Sequence, residues 1–316
     1  MQEAIKEIIS LRLGKVLINE KLSNYTTYRV GGKVRAIVFP RGEEELIKLI
    51  DLLNKRNIAF FVLGNGSNVL FSDEMYDRII IKLDSFNKID IDGNTITVGA
   101  GYPLIKLSND AMRNSLSGLE FASGIPGTVG GAVFMNAGAY GEDMSKIIKS
   151  VRILTGDLKI KELTNKEMKF SYRTSILQED LDLVCLGATL ELESGNKDEI
   201  EKIITERRAQ RRATQPLEYP SAGSVFRNPE GMYAGKLIED LGLKGYTVGR
   251  AEVSPKHANF IVNNGNAKAS DIKKIIDYIK LKVKNKYNIK LHVEQRLINW
   301  VGVDSEESES EEKNKD

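Results

Sequence analysis

The sequence predicts an α+β chain built from three successive segments and closed by an acidic tail. Three observations predict it. Apolar residues at helical spacing (Leu46, Ile47, Ile50 and Leu53) lie between two β-rich runs at 35–39 and 59–63. From about Lys88 the pattern changes to alternating runs joined by turn residues, as in KIDID, DGN and TITVGAG. Residues 118–141, GLEFASGIPGTVGGAVFMNAGAYG, are so poor in side chains that backbone N–H groups there can lie directly against a ligand.

Residues 1–85 form the first segment. It reads as an amphipathic helix (MQEAIKEIISLRLGK), the strand RAIVF, the helix EEELIKLIDLLNKR and the strand AFFVL. That strand runs straight into Gly64-Asn65-Gly66-Ser67-Asn68, and RIIIKL (78–83) closes the unit. The mixed charge of the first helix, which has no apolar core, does not suit a signal peptide.

The second segment, 86–212, holds the hairpin, the helix PLIKLSNDAMRNS and the glycine-rich stretch. Strands IIKSVRILT and LKIKELT follow around Gly156-Asp157, then LDLVCLGATLEL and a linking helix over 197–212. The third, 213–303, contains GSVFRNP, the helix YAGKLIEDLGL, the strand NFIVN, the long helix KASDIKKIIDYIKLKVKNKY and the strands LHVEQ and RLINWVG. Residues 304–316, DSEESESEEKNKD, cannot build a core and are expected to be disordered.

Hydrophobic content of 41% and charged content of 28% are those of a soluble globular chain. No apolar run reaches membrane-spanning length, so no membrane partner is expected. The single Cys185 sits in an apolar strand run; without a disulfide framework the chain fits a reducing cytoplasm. Two histidines, His257 and His292, beside one cysteine argue against a structural zinc site, and no metal is expected. The net charge of +2 hides an asymmetry: without the tail's seven acids and two lysines, 44 basic and 37 acidic residues remain. A moderately basic body suits anionic ligands. There is no basic-aromatic cluster and no nucleic-acid motif, so nucleic acid is not an expected partner; a monomer is expected.

The glycine-rich stretch is neither a GxGxxG turn after one strand nor a GxxxxGK[ST] loop. Its backbone suits a pyrophosphate or a flat ring with many hydrogen-bonding edges. Ile125, Val129, Val133, Phe134 and Met135 interleave with the glycines and are expected to be buried. Further motifs accompany it: Thr27-Tyr28-Arg29-Val30-Gly31-Gly32, the 64–68 turn, Ser171-Tyr172-Arg173, AGSVFRNP (222–229) and Val293-Glu294-Gln295-Arg296. Taken singly, each has a plain structural explanation. Ser224 suits a turn after Gly223, Arg173 an exposed cation, and Glu294 a surface partner for Arg296.

Taken in this order and spacing, the set resembles the UDP-N-acetylenolpyruvoylglucosamine reductase (MurB) family of bacterial cell-wall synthesis, from about Leu22 to Gly302. The resemblance implies a two-part FAD-binding module of the vanillyl-alcohol-oxidase (PCMH) type and a C-terminal α+β substrate domain. It implies FAD and NADPH as cofactors and a UDP-sugar bearing an enolpyruvyl ether as substrate, with hydride going to C3 and a proton to C2. By the same resemblance Ser224 donates the proton, and Arg173 and Glu294 assist. The cofactor-binding residues it implies are Tyr28, Arg29, Val30 and Gly31; Gly64, Asn65, Gly66, Ser67 and Asn68; Gly124, Ile125, Pro126, Gly127, Thr128, Gly130 and Gly131; and Asn136, Ala137, Gly138 and Ala139.

The chemistry accounts for these residue types. Hydride addition to C3 sends negative charge from C2 into the adjacent carboxylate, which an arginine fork can hold in the transition state. A serine hydroxyl is a weak acid, yet an enolate carbon is basic enough to take its proton when held within reach. Glu294 can support the enol if protonated or orient neighbouring donors if ionised.

Softer candidates surround this set. Arg207, Arg208, Arg211 and Arg212 suit either a UDP pyrophosphate or a solvated helix C-terminus, with Arg208 first among them by its distance before Ser224. Arg227 and Asn228 can reach phosphates, His257 is either a substrate contact or a packed strand-edge residue, and Tyr140 can line the site. Only 175–180 separates SYR from the next strand, so the inserted tyrosine lid of some members is not expected, and the chain resembles the shorter subtype. The alternative is another noncovalent FAD-dependent oxidase or dehydrogenase on the same module.

Overall fold

The computed structural model describes residues 1–300; the acidic tail lies outside the described residues. The chain divides into two compact units. One comprises Met1–Ile18, Arg35–Asn65 and Arg78–Ala213; the other comprises Asn19–Val34, Gly66–Asp77 and the described residues from Thr214 onward.

In the first unit, helices α1 (Gln2–Ser10) and α2 (Glu43–Lys55) bury one face each, through Ile5 and Ile8 and through Leu46, Leu49, Ile50 and Leu53. Three glutamates in the first turn of α2 and Lys55 in its last complement the helix dipole. These helices share a core with a four-stranded sheet in the order Lys15–Ile18, Val34–Phe39, Tyr76–Ile81, Phe60–Val62. The first pair is antiparallel and the last parallel.

A second, antiparallel sheet has the order Ile160–Thr164, Ile148–Leu154, Val184–Glu191, Thr95–Gly99, Ile89–Asp92. Both hairpins expected from turn residues are in it. Helix α3 (Leu104–Arg113) follows and buries Leu104, Leu107 and Ala111.

The glycine-rich stretch is more ordered than an open loop. A 3-10 turn (Glu120–Gly124) leads to the short helix α4 (Val129–Phe134), whose N-terminus is capped where Thr128 Oγ1 accepts the Gly131 N–H at 3.3 Å. Val129, Val133 and Met135 are buried. The strands Gly138–Ala139 and Glu142–Asp143 then pair around Tyr140-Gly141, whose φ values of 59° and 79° make a two-residue hairpin turn of the type that matches strand twist. Helix α5 (Ile176–Glu179) is the only helix or strand between Arg173 and the strand Val184–Glu191, so no inserted lid lies there. Helix α6 (Lys197–Thr214) buries only Ile200 and Ile204.

The second unit has its own core. Helix α7 (Ala234–Asp240) contributes Ala234 and Ile238, and α8 (Ala269–Tyr287) contributes Ile272, Ile275, Ile276, Ile279 and Val283. A three-stranded antiparallel sheet runs Thr247–Val248, Ala251–Val253, Ile261–Asn263, and Arg296–Ile298 pairs in parallel with Val69–Phe71. The run LHVEQ, read as a strand, makes only a single bridge, Val293 with Phe226.

Candidate active site

In the second unit the motifs around Ser224 meet through backbone pairing. Glu294 donates its N–H to the Val225 carbonyl at 2.8 Å, and Arg227 donates to the His292 carbonyl at 2.9 Å. The segment carrying Ser224 therefore runs antiparallel to the one carrying Glu294. Ser224 and Glu294 are both half-buried. Gly223, just before the serine, has φ 74°, a left-handed conformation that favours glycine.

Asn259 grips the other flank. Its carbonyl accepts the Val225 N–H at 2.8 Å, its Oδ1 accepts the Phe226 N–H at 3.0 Å, and its Nδ2 donates to the Phe226 carbonyl at 2.9 Å. The Nδ1 of His257 accepts the Asn259 N–H at 3.2 Å, and its ring meets the Phe260 ring at 4.8 Å. Burial holds the His257 pKa below the usual imidazole range, with Lys244 adding to the effect and Glu239 opposing it. This is the geometry of a packed strand-edge histidine. Asn228 accepts the Ala234 N–H at the start of α7, at 3.1 Å, and Arg227 has a buried Nε with no partner.

The Tyr28 and GSN motifs belong to the same network. Tyr28 is fully buried, its hydroxyl donates to Gln295 Oε1 at 3.1 Å, and burial pushes that hydroxyl's pKa up. Its side chain thus serves the core and its carbonyl accepts Asn263 Nδ2, which leaves only its backbone N–H for a ligand. Arg29, next to it, is exposed with φ 56°. Asn68 donates to the Glu294 carbonyl at 3.2 Å and accepts the Arg296 N–H at 3.0 Å.

In the first unit the SYR motif meets the end of the glycine-rich stretch. Arg173 donates from Nη2 to the Gly138 carbonyl at 2.8 Å, and its guanidinium lies over the Tyr172 ring at 5.0 Å. Asn136 Nδ2 donates to the Ser171 carbonyl at 2.9 Å, and its Oδ1 accepts the Ser145 N–H. Arg173, Asn136 and Tyr140 all have positive φ (58°, 40° and 59°), a cost that side-chain residues bear where surroundings over-determine them.

The arginines of α6 take different places. Arg208 is committed to protein groups, donating to the Ser123 carbonyl at 3.1 Å and to Asn109 Oδ1 at 2.7 Å. Arg207 lies over the Tyr140 ring, and its carbonyl accepts the Tyr140 hydroxyl at 3.0 Å. Arg211 packs on Gly124, where a Cβ would stand 2.6 Å from its Cδ; its buried Nε has no partner, and burial lowers its pKa.

These residues fit the FAD that the sequence resemblance implies. Gly64 lies so close to Thr128 that a Cβ would come within 2.7 Å of its hydroxyl. Several N–H groups of the glycine-rich stretch are already used, on carbonyls inside it (Gly127 on Ile125, Ala137 on Ala132) or before it in the chain (Val129 on Tyr102, Gly130 on Ala100). Those of Thr128, Asn65, Gly66 and Ser67 have no acceptor among the described residues. In the first unit, the unmet donors of Thr128 and Asn65 and the orphaned Nε of Arg211 suit an anionic ligand.

Sequence reasoning missed three residues. Gln295 and Asn259 act on the backbone of positions 222–226, and Lys82, buried just past the end of the strand Tyr76–Ile81, donates from Nζ to the Gly64 carbonyl at 2.7 Å. A side chain that bonds a distant carbonyl leaves no local pattern; for Lys82, a cation inside the apolar run RIIIKL was the available signal.

Comparison with known proteins agrees with this layout. Residues 34–164 match the FAD binding domain family, and residues 215–298 match the UDP-N-acetylenolpyruvoylglucosamine reductase C-terminal domain. The UDP-N-acetylenolpyruvoylglucosamine reductase of Anoxybacillus flavithermus is 46% identical, covering 94% of this chain and 99% of its own. That of Bacillus subtilis is 44% identical with the same coverage, 94% and 99%. The crystal structure of UDP-N-acetylenolpyruvylglucosamine reductase (MurB) from Thermus caldophilus matches with a TM-score of 0.77 at 35% identity, over 90% of this chain and 98% of that one. These matches establish that the chain belongs to the UDP-N-acetylenolpyruvoylglucosamine reductase (MurB) family.

Proposed function

We propose that the chain is a UDP-N-acetylmuramate dehydrogenase of peptidoglycan synthesis, an FAD-binding module joined to a C-terminal α+β domain. When bound, FAD would supply the hydride chemistry between NADPH and C3 of the enolpyruvyl ether on UDP-N-acetylglucosamine.

The chain's own residues handle charge and proton. Arg173, its guanidinium oriented by the Gly138 carbonyl and the Tyr172 ring, pairs with the substrate carboxylate and stabilises charge arriving from C2. Ser224 gives its hydroxyl proton to C2, and Glu294 assists at the same centre. Donors of the first unit without protein acceptors, at Thr128 and Asn65 and on Arg211, would hold the cofactor's phosphates.

The observation that carries this reading is the backbone pairing of the AGSVFRNP segment with the Glu294 segment. It brings two of the three catalytic candidates into neighbouring positions of one unit. The free thiol of Cys185 supports a cytoplasmic setting, and the enzyme works there as a monomer, which sedimentation would check.

The test is a stopped-flow comparison of wild type, Ser224→Ala and Ser224→Cys. Purified wild type should be yellow, bleach with NADPH and recover its colour on adding the enolpyruvyl substrate. The alanine variant should keep FAD and its reduction by NADPH, and reoxidise about 10²–10⁴-fold more slowly. Cysteine should restore part of the rate, since a thiol also carries a proton. Wild-type reoxidation in Ser224→Ala would reject the serine as donor.

A further inference from the structure

Gln295 is 2% exposed and follows Glu294 directly. Its Nε2 donates to two consecutive carbonyls, Ala222 at 3.1 Å and Gly223 at 3.2 Å. Its Oε1 accepts the Tyr28 hydroxyl at 3.1 Å. The tyrosine is anchored in turn, because its own carbonyl accepts Asn263 Nδ2 at 2.9 Å. Both donors of the amide and one acceptor site are therefore engaged, all in the core of one unit.

The two carbonyls belong to the residues immediately before Ser224. At Gly223 the chain is left-handed (φ 74°), and nothing lies within 4 Å of the place a Cβ would occupy. Ala222 before it is buried in the core; the bonds from Gln295 fix both carbonyls of the turn, while Asn259 holds the chain after the serine. Tyr28 sets the amide's orientation: a hydroxyl donor at Oε1 turns Nε2 toward the carbonyls.

We propose that Gln295, oriented by Tyr28, is a positioning residue that pins the Gly223 turn so that the Ser224 hydroxyl is held for proton delivery to C2. This rests on Ser224 being the donor. Proton transfer to carbon is sensitive to reach, and misplacement of about 1 Å can cost about 10²-fold.

The experiment compares Gln295→Leu, Gln295→Glu, Ser224→Ala and the double variant Ser224→Ala/Gln295→Leu, all as FAD-loaded protein. Gln295→Leu should slow reoxidation by the enolpyruvyl substrate about 10- to 100-fold, with reduction by NADPH unchanged. Hydrogen exchange across 222–226 should quicken in the same variant. The double variant should reoxidise no more slowly than Ser224→Ala alone, because a residue acting through the serine has nothing left to position. Gln295→Glu keeps the volume and the acceptor for Tyr28 but faces two carbonyls with a carboxylate. Its reoxidation rate should recover as pH falls and the group gains a proton to donate, a profile the wild type lacks.

Equal slowing of both half-reactions in Gln295→Leu, or additive loss in the double variant, overturns the positioning role. Slow reoxidation in Ser224→Ala beside normal reoxidation in Gln295→Leu overturns it while leaving the donor intact. Wild-type reoxidation in Ser224→Ala removes the donor itself. If Gln295→Leu does not fold, the pH profile of the isosteric Gln295→Glu decides: no recovery at low pH overturns the proposal.

Discussion

Arg173 and Asn136 tie two distant segments together reciprocally. The arginine donates to the carbonyl of Gly138, two residues beyond the asparagine, while the asparagine donates to the carbonyl of Ser171, two residues before the arginine, at 2.8 and 2.9 Å. Each side chain thus fixes the backbone beside the other, and both residues hold positive φ within this clasp.

Lysine in place of Arg173 keeps the charge and loses the planar fork that can hold Gly138 and a carboxylate together. Arg173→Lys should slow reoxidation by substrate about 10²-fold and leave reduction by NADPH nearly intact. Stopped-flow traces of the two steps check this. Equal damage to both would mark the arginine as a support of the fold or of flavin binding.

Neighbouring glycines should separate packing from ligand approach. A Cβ on Gly130 would stand 2.9 Å from the Cβ of Ala100, so Gly130→Ala should cost about 1–3 kcal/mol of stability. A Cβ on Gly131 would meet only Thr128 Oγ1, at 3.4 Å, so Gly131→Ala should fold normally. Melting curves of the apoproteins and FAD titrations test the pair. Loss of FAD affinity at Gly131 with an unchanged apoprotein melting temperature would locate the cofactor there, and full affinity would move it elsewhere.

Lys82 holds the Gly64 carbonyl at the head of the GNGSN turn and lies near Asp84 at 3.3 Å. Lys82→Met fills the same space and leaves that carbonyl unpaired, a loss of about 1–3 kcal/mol. FAD should dissociate more readily from this variant, measured by flavin fluorescence on dilution. Unchanged release would mean the turn keeps its shape without the lysine.

His257 should make stability depend on pH. Burial lowers its folded pKa, so as pH falls the unfolded chain takes up a proton near the ordinary histidine value, about 6.5, before the folded chain does. Its contribution is therefore present above that value and is lost as pH drops toward the lowered folded one. Wild type should lose more melting temperature between pH 7.5 and 5.5, chosen to bracket roughly that window, than His257→Gln. Parallel curves for the two proteins would remove the histidine from the account.

Local structure was largely legible. Leu46, Ile50 and Leu53 at helical spacing place α2, and the turns at Gly93 and at Gly156-Asp157 place two hairpins. The glycine-rich stretch was legible as close-packed but not as partly helical. The cap from Thr128 to Gly131 and the use of N–H groups on Ala100 and Tyr102 depend on a strand end and loop well before it. The second unit gathers Asn19–Val34 and Gly66–Asp77 with residues beyond 213, a joining that local patterns do not record. Gln295 illustrates the limit at a single residue: its partners are 72, 73 and 267 positions away.

Cys185 lies in a central strand, 8% exposed, with its thiol pushed up to about 12 by burial. At ordinary pH it carries almost no thiolate, so alkylating and labelling reagents should find the native chain unresponsive. Any cysteine introduced at an exposed position then becomes a unique chemical address without prior removal of native thiols. Ser224→Cys gains a second use from this: its alkylation rate against pH would report the acidity of that one site, in a chain whose background is already silent.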